Sequence, residues 1–293
     1  MKKAVTLGRS KHSLMSVFGT SKGKHRNDGD KGEMVLSQNY RLAMEGGRYN
    51  NNVIVVGKAG SGKTRGVMIP NVLQETGSYI INDQYGEIYD ACGELLKADG
   101  YNVVKVDVLE ADTLDATDFN AASIGSTKTA VFITGKCFLD EEKRARKAEL
   151  YSDLFANLMD YASKQDAGHL KVPVMFVYDD FTSIGAIPDF WVEVATCRSS
   201  GISFLLTAQC LSQLEDTYPD DYQFIFQNSD TVLLLQCGYL PDIKMSKYLT
   251  EKGVDLARCK GYNDEVILIR GMKPIYDKTF GLRTTQKKAY AQV

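Results

Sequence analysis

The chain contains nothing close to the ~18 consecutive apolar residues of a membrane-spanning helix; its longest apolar runs, such as 172–178 and 202–206, are strand-sized. No signal-peptide core precedes them. Both absences point to a cytoplasmic protein. Cysteine is sparse and scattered, at positions 92, 137, 197, 210, 237 and 259, with no CxxC pair and no Cys/His cluster of metal-binding spacing. The six thiols therefore read as small buried hydrophobes in a reducing compartment. The three histidines, His12, His25 and His169, stand in unrelated contexts and carry no chemistry. No arginine occurs between residues 110 and 140, which argues against the arginine-rich lid of a small-molecule kinase.

What is present is an ordinary globular composition, 44% hydrophobic and 25% charged, over 293 residues. That length suffices for one large α/β domain or two small ones. The net charge of −2 is unevenly placed: residues 1–32 hold eight Lys or Arg against two Asp, which leaves 27 basic and 35 acidic residues for the rest. An acidic body disfavours a broad DNA-coating surface, although a narrow basic strip inside an assembly remains compatible with it. Residues 1–34, rich in Lys, Ser, Gly and His, read as a mobile basic arm, either a plain solvated tail or a contact for phosphate or an acidic partner. Residues 283–293 read as a C-terminal tail.

Between these ends, strand and helix patterns alternate. The apolar runs Val53–Val56, Tyr79–Asn82, Val103–Val106, Ala130–Thr134, Val172–Tyr178, Ile202–Thr207, Thr231–Leu235 and Glu265–Ile269 predict strands. Gly62–Gln74, Ile88–Ala98 and the amphipathic stretch Glu141–Lys164 predict helices, the last with Leu150, Leu154, Leu158 and Tyr161 on one face. Continuous apolar strands separated by helices imply a mostly parallel central sheet with helices on both faces. Sites in such sheets lie beyond the carboxyl ends of the strands.

The segment GKAGSGKT, Gly57 to Thr64, follows one such strand and opens a helix. It fits the phosphate-binding pattern G-x-x-x-x-G-K-[ST] in the right setting. Gly57, Gly60 and Gly62 let the backbone turn inward, so that amides reaching through Ser61 to Arg65 can point at phosphate. The helix N-terminus adds positive potential. Lys63 supplies a point charge between the β- and γ-phosphates, and Thr64 a hydroxyl for Mg²⁺. The expected ligand is ATP with Mg²⁺.

VPVMFVYDD, residues 172–180, delivers Asp179 and Asp180 at a strand's carboxyl end. Behind a phosphate loop, the first carboxylate would hold Mg²⁺ and the second would position the attacking water. The second is usually Glu in motors of this type; Asp is one methylene shorter, and a misplacement of ~1 Å can cost on the order of 10²-fold in rate. Gln209, just past the strand Ile202–Thr207, is either a γ-phosphate reader or a surface amide. Arg198, ahead of that strand, is either an arginine finger or an ordinary ion-pairing residue.

The strings NVIVVGKAGSGKTRGVMIPN, YIINDQYGEIYDACGELLKADGYNV, VPVMFVYDDFTSIGAIPDF, ATCRSSGISFLLTAQCLSQL, QNSDTVLLL and DEVILIRGMKPIYDK follow one another in order. This order resembles the type IV coupling proteins of conjugation and type IV secretion, the TraG-like, FtsK-related family, over most of residues 35–282. The resemblance implies a RecA-like P-loop NTPase domain over 35–282 and a hexameric ring at the inner membrane. Its partners would be single- or double-stranded DNA, relaxosome proteins and the secretion channel. Lys63 and Thr64 match the family's Walker A pair, Asp179 and Asp180 its Walker B pair, and Gln209 the glutamine after the next strand. Arg198 matches an arginine proposed to reach a neighbouring subunit's nucleotide. Asp83, Gly86 and Glu87 match an acidic loop written Asp-Pro-Lys-Gly-Glu, in which Gln84 and Tyr85 here replace Pro-Lys. The family's membrane-spanning helices have no counterpart in this sequence, and Asp118-Phe119-Asn120 runs almost directly into Lys128–Thr134 where an all-helical insertion is expected. The chain is thus expected to be a trimmed form.

Two functions follow as expectations. The first is an ATP-hydrolysing motor with Lys63, Asp180, Gln209 and Arg198 as its catalytic group, delivering DNA or nucleoprotein to a secretion channel. The alternative is a nucleotide-binding adaptor or assembly partner with weak hydrolysis, suggested by Asp180 in place of Glu.

Overall fold

Runs of β-branched and aliphatic residues with no polar alternation dictate strands covered on both faces. The computed structural model, which describes residues 32–44, 49–109, 115–137, 140–236 and 243–281, contains such strands and three short ones besides: β1 (Glu33–Val35), β2 (Arg41–Ala43), β3 (Val53–Val56), β4 (Ser78–Asn82), β5 (Asn102–Asp107), β6 (Thr129–Thr134), β7 (Val174–Tyr178), β8 (Ile202–Ala208), β9 (Thr231–Leu235), β10 (Asp264–Ile269) and β11 (Ile275–Lys278). β1 and β2 pair with each other, antiparallel. The other nine form one sheet in the order β11-β10-β9-β3-β8-β7-β4-β6-β5. Every pairing from β9 to β5 is parallel, while β10 and β11 close one edge antiparallel.

The helices are a π-helical turn Lys63–Met68 that runs into α1 (Ile69–Val72), then α2 (Glu87–Ala98), α3 (Ala121–Ser126), α4 (Glu141–Ser163), α5 (Phe190–Thr196), α6 (Leu211–Thr217), α7 (Tyr222–Gln227) and α8 (Ile243–Glu251). Alternate residues of a strand face opposite sides, and β3 divides accordingly. Val53 and Val55 pack with Val67, Met68 and Val72 of the helix after β3 and with Ile88, Cys92 and Leu96 of α2. Ile54 and Val56 join the other core, where Leu150, Leu154 and Leu158 of α4 meet Phe176 and Phe204. Phe176 is fully buried; truncating it to Ala should cost about 3–5 kcal/mol. Asn52 fixes the entry to β3: its Oδ1 accepts from Phe204 N–H at 3.0 Å and its Nδ2 donates to the carbonyl of Val194 at 3.0 Å.

Several boundaries move. The strand expected from Val172 starts at Val174, because Pro173 has no N–H to offer the ladder; its carbonyl accepts from Ser78 N–H at 2.8 Å. The basic arm expected over 1–34 is shorter, since Glu33 opens β1 and Met34 is 1% exposed; the rest of that arm and the tail 283–293 lie outside the described residues. β1, β2 and β11 were not legible as strands, being three or four residues long. Cys92, Cys137 and Cys197 are free and buried, and Cys210 is free and half-buried; Cys259 is disulfide-bonded, against the expectation of six reduced thiols, a pairing that spacing alone does not reveal. No helix among the described residues is long and apolar enough to cross a membrane.

Candidate functional site

β3 ends at Val56 in the middle of the sheet, beside β8. Its continuation is tied to β8 by the Gly57 N–H, which donates to Ala208 O at 3.1 Å. The loop then folds tightly, with Ser61 N–H donating to Lys58 O at 3.1 Å. A Cβ on Gly57 would come within 2.5 Å of Ser61 Oγ, so only glycine lets the loop close. Gly62 begins the helix at φ 91°, a left-handed conformation suited to glycine, and no side chain caps the helix it opens. The first amides of that helix have no acceptor within it. Ser61 Oγ is buried without a partner among the described residues.

Lys63 leans back across the loop, its Nζ donating to Gly57 O at 2.6 Å and Lys58 O at 3.0 Å. Burial lowers its pKa, while Asp179 and Asp180 oppose that shift. Thr64 Oγ1 donates to Asp179 Oδ2 at 2.8 Å. The loop and the carboxylate strand therefore meet, although 115 residues separate them and β8 lies between β3 and β7.

Asp179 is held on every side. Its Oδ1 accepts from Thr207 Oγ1 at 3.0 Å, and its backbone carbonyl accepts from Asn82 Nδ2 at 2.6 Å. The Thr207 hydroxyl also accepts from Asp180 N–H at 2.8 Å. Asn82 is in turn braced by Tyr151, whose hydroxyl donates to its Oδ1 at 3.2 Å. Burial pushes the Asp179 carboxyl upward; the Thr64 and Thr207 hydroxyls and the Lys63 ammonium pull it back. Asp180 is raised by burial too, with Lys63 again opposing. Asp180 adopts φ 51°, an uncommon conformation for a residue with a side chain. Ser183 Oγ clamps it by donating to its carbonyl at 2.5 Å, and Gln84 Nε2 donates to that same Oγ. The acidic loop's departure from Pro-Lys thus has a structural use: Gln84 braces the turn that carries Asp180. Asp83, 2% exposed, accepts from Tyr89 N–H at 2.7 Å at the start of α2.

The remaining sequence-derived residues divide. Gln209 directly follows Ala208, the residue bonded to Gly57, and so stands beside the loop. Arg65 follows Thr64, but its exposed guanidinium is ion-paired with Glu87 at 2.6 Å, which leaves its backbone N–H as the group nearest the loop. Arg198 belongs to the turn Cys197–Ser200 ahead of β8. β8 is seven residues long, so Arg198 sits roughly 20 Å away, at the opposite end of the strands. Lys63, Thr64, Asp179 and Asp180 are brought together with Gln209 nearby; Arg198 is not. Thr207 and Asn82, both hydrogen-bonded to Asp179, are site positions that sequence reasoning passed over. A threonine two residues before Gln209 was the available signal.

The oxygen-only pair Thr64 and Asp179, at hydrogen-bond distance, is a donor set suited to a hard divalent cation. The uncapped helix start, the unpartnered Ser61 hydroxyl and the Lys63 ammonium form a cradle suited to a polyanion.

Two family models match the chain. One, described as type IV secretory system conjugative DNA transfer, covers residues 14–117; the other, described as the TraM recognition site of TraD and TraG, covers 173–255. No curated protein matches by sequence. Among solved structures, the plasmid coupling protein TrwB in complex with ADP and Mg²⁺ is 10% identical with a TM-score of 0.55, the match covering 78% of this chain and 85% of that one. TrwB in complex with a non-hydrolysable ATP analogue gives 10% and 0.56, over 80% and 87%. VirB4 of Thermoanaerobacter pseudethanolicus gives 12% and 0.54, over 90% and 100%. These likenesses establish a RecA-like fold.

Proposed function

We propose, on the premise that this chain belongs to the type IV coupling-protein family, that it is an ATP-binding motor serving conjugative DNA transfer through a type IV secretion channel. The observation that carries this reading is the 2.8 Å bond between Thr64 and Asp179, which unites the phosphate loop with the carboxylate pair. The loop amides and Lys63 bind the triphosphate, Lys63 exchanging its two carbonyl partners for phosphate oxygens. Thr64 and Asp179 would hold Mg²⁺, which when bound neutralises charge on the phosphate oxygens. Asp180 orients the attacking water and takes up its proton, and Gln209 senses the γ-phosphate from the end of β8. Arg198, too far from its own loop, acts on the nucleotide of the next subunit in a ring. The ADP with Mg²⁺ and the non-hydrolysable ATP analogue bound by the structurally similar TrwB support the ligand.

DNA, relaxosome proteins and a hexameric assembly are the finer part of this proposal. The match to a TraM recognition site supports a relaxosome contact within residues 173–255. The family matches favour the motor over the adaptor. Steady-state ATP turnover, measured across protein concentrations with and without single-stranded DNA, tests the reading. Turnover should rise with assembly and with DNA, and Lys63→Ala should abolish it. Hydrolysis equal in wild type and Lys63→Ala, or none in either, would refute it.

A further inference from the structure

A triphosphate in this loop has a direction. Its γ end lies toward Asp179 and Asp180, which reach the loop from β7 on the β8 side of β3. The nucleoside must therefore leave toward the other side, where β9 and then β10 stand. β10 runs antiparallel to β9, so the residues just ahead of Asp264 return to the edge of the sheet that carries the loop. Tyr262 is there. Its hydroxyl donates to Gly60 O at 2.7 Å, across 202 residues of sequence, yet 64% of the residue is exposed. Among the described residues, only the Tyr262 hydroxyl comes within 4 Å of a Cβ built on Gly60, so no other described residue crowds that point of the loop tip.

The turn that presents Tyr262 is fixed before any ligand arrives. Asp264 Oδ2 accepts from Gly261 N–H at 2.5 Å, and Asp264 N–H donates to Gly261 O at 3.1 Å. Lys278 pairs with the same carboxylate, and Thr279 N–H donates to Asn263 O at 2.9 Å. A large aromatic held rigid and exposed beside a phosphate cradle loses little freedom when a flat partner covers it.

We propose that Tyr262 is the nucleobase platform of this site, its ring stacking on the base of a nucleoside triphosphate whose phosphates occupy Gly60–Thr64. The proposal rests on the reading of that loop as a triphosphate cradle. The hydroxyl sets the position of the ring, and the ring face supplies the contact. Aromatic stacking tolerates different bases, because each has a π-face, so Tyr262 adds affinity for nucleosides as a class.

Equilibrium titrations with Mg-ATP and with Mg-tripolyphosphate, which lacks a base, separate the two parts. Tyr262→Ala should weaken ATP binding about ten-fold and leave tripolyphosphate within about two-fold, while Tyr262→Phe should retain most of the ATP affinity. In a Trp191→Phe background, Tyr262→Trp should introduce fluorescence that ATP quenches and tripolyphosphate does not. Equal weakening of both ligands by Tyr262→Ala, or Phe behaving as Ala, would reduce the residue to a latch on the loop and overturn the platform. Wild-type protein that binds tripolyphosphate as tightly as ATP would overturn the platform alone. Wild-type protein that binds neither ligand would overturn the cradle with it.

Discussion

The two flanks of the phosphate loop differ in how they treat a carboxyl group. On the β8–β7 flank, Asp179 sits among hydroxyls from Thr64 and Thr207 with the Lys63 ammonium close by. On the β9–β10 flank, Glu265 is 1% exposed, and burial pushes its carboxyl up to about 8. Burial raises the carboxyl on both flanks, but on the first two hydroxyls and an ammonium oppose it, whereas on the second it carries Glu265 up to about 8 beside an exposed aromatic. On the proposed reading, the first flank serves the chemistry and the second the recognition of a neutral, flat group.

Substitutions can break this contrast, beginning with the strongest. Asp179→Asn removes the charge that Thr64, Thr207 and Lys63 are arranged around; ATP turnover should fall by 10³-fold or so, an order typical of loss of an electrostatic centre. Turnover within a few-fold of wild type would detach Asp179 from the reaction. Thr207→Val strips the donor to Asp179 and leaves Asp180 N–H without its acceptor. A loss of about 1–3 kcal/mol in chemical denaturation is expected, together with a drop in turnover. Unchanged stability would show that the bridge contributes nothing.

Asp180→Glu lengthens the water-positioning side chain by one methylene. A gain on the order of 10-fold or more in turnover is expected if reach limits the reaction. A fall would mean that the φ 51° turn braced by Ser183 and Gln84 already places the shorter acid correctly.

Glu265→Gln tests the opposite flank through pH. The group's pKa lies near 4.5 when exposed and about 8 when folded. Below 4.5 both states keep the proton, and between those values only the unfolded chain releases it, so stability declines as pH rises. Above 8 the decline is complete, on the order of several kcal/mol. The Gln variant lacks this slope; it should match wild type near pH 4 and exceed it above pH 8 in denaturant midpoints. Parallel profiles would refute the protonated state. The smallest effect belongs to Arg65→Ala, whose exposed pairing with Glu87 should contribute under ~0.5 kcal/mol to thermal stability.

The chemistry-bearing flank was the legible one. GKAGSGKT and the two aspartates ending an apolar strand are local patterns, and the fold had only to bring their strand ends to one edge. Thr207 was harder to see, because a threonine inside an apolar strand looks like any other strand residue until the register sets Leu205 and Thr207 against Val53 and Val55. Arg198 was named from its place ahead of a strand and again from resemblance, and the parallel run of β8 beside β3 puts it at the end of the strands away from the loop. Tyr262 had no signal at all: its neighbour Gly60 is 202 residues away. β1, β2 and β11 were too short to show a period, and their antiparallel pairing depends on contacts absent from local sequence.

On the proposed reading, Lys63 and the loop amides hold a triphosphate. Isothermal titration of Mg-ATP into wild type and Lys63→Ala measures this directly. Removing a charged hydrogen-bond donor of this kind should weaken binding by about 1.5–3 kcal/mol, at least ten-fold. Equal affinity in the two proteins, or heat from neither, would contradict it.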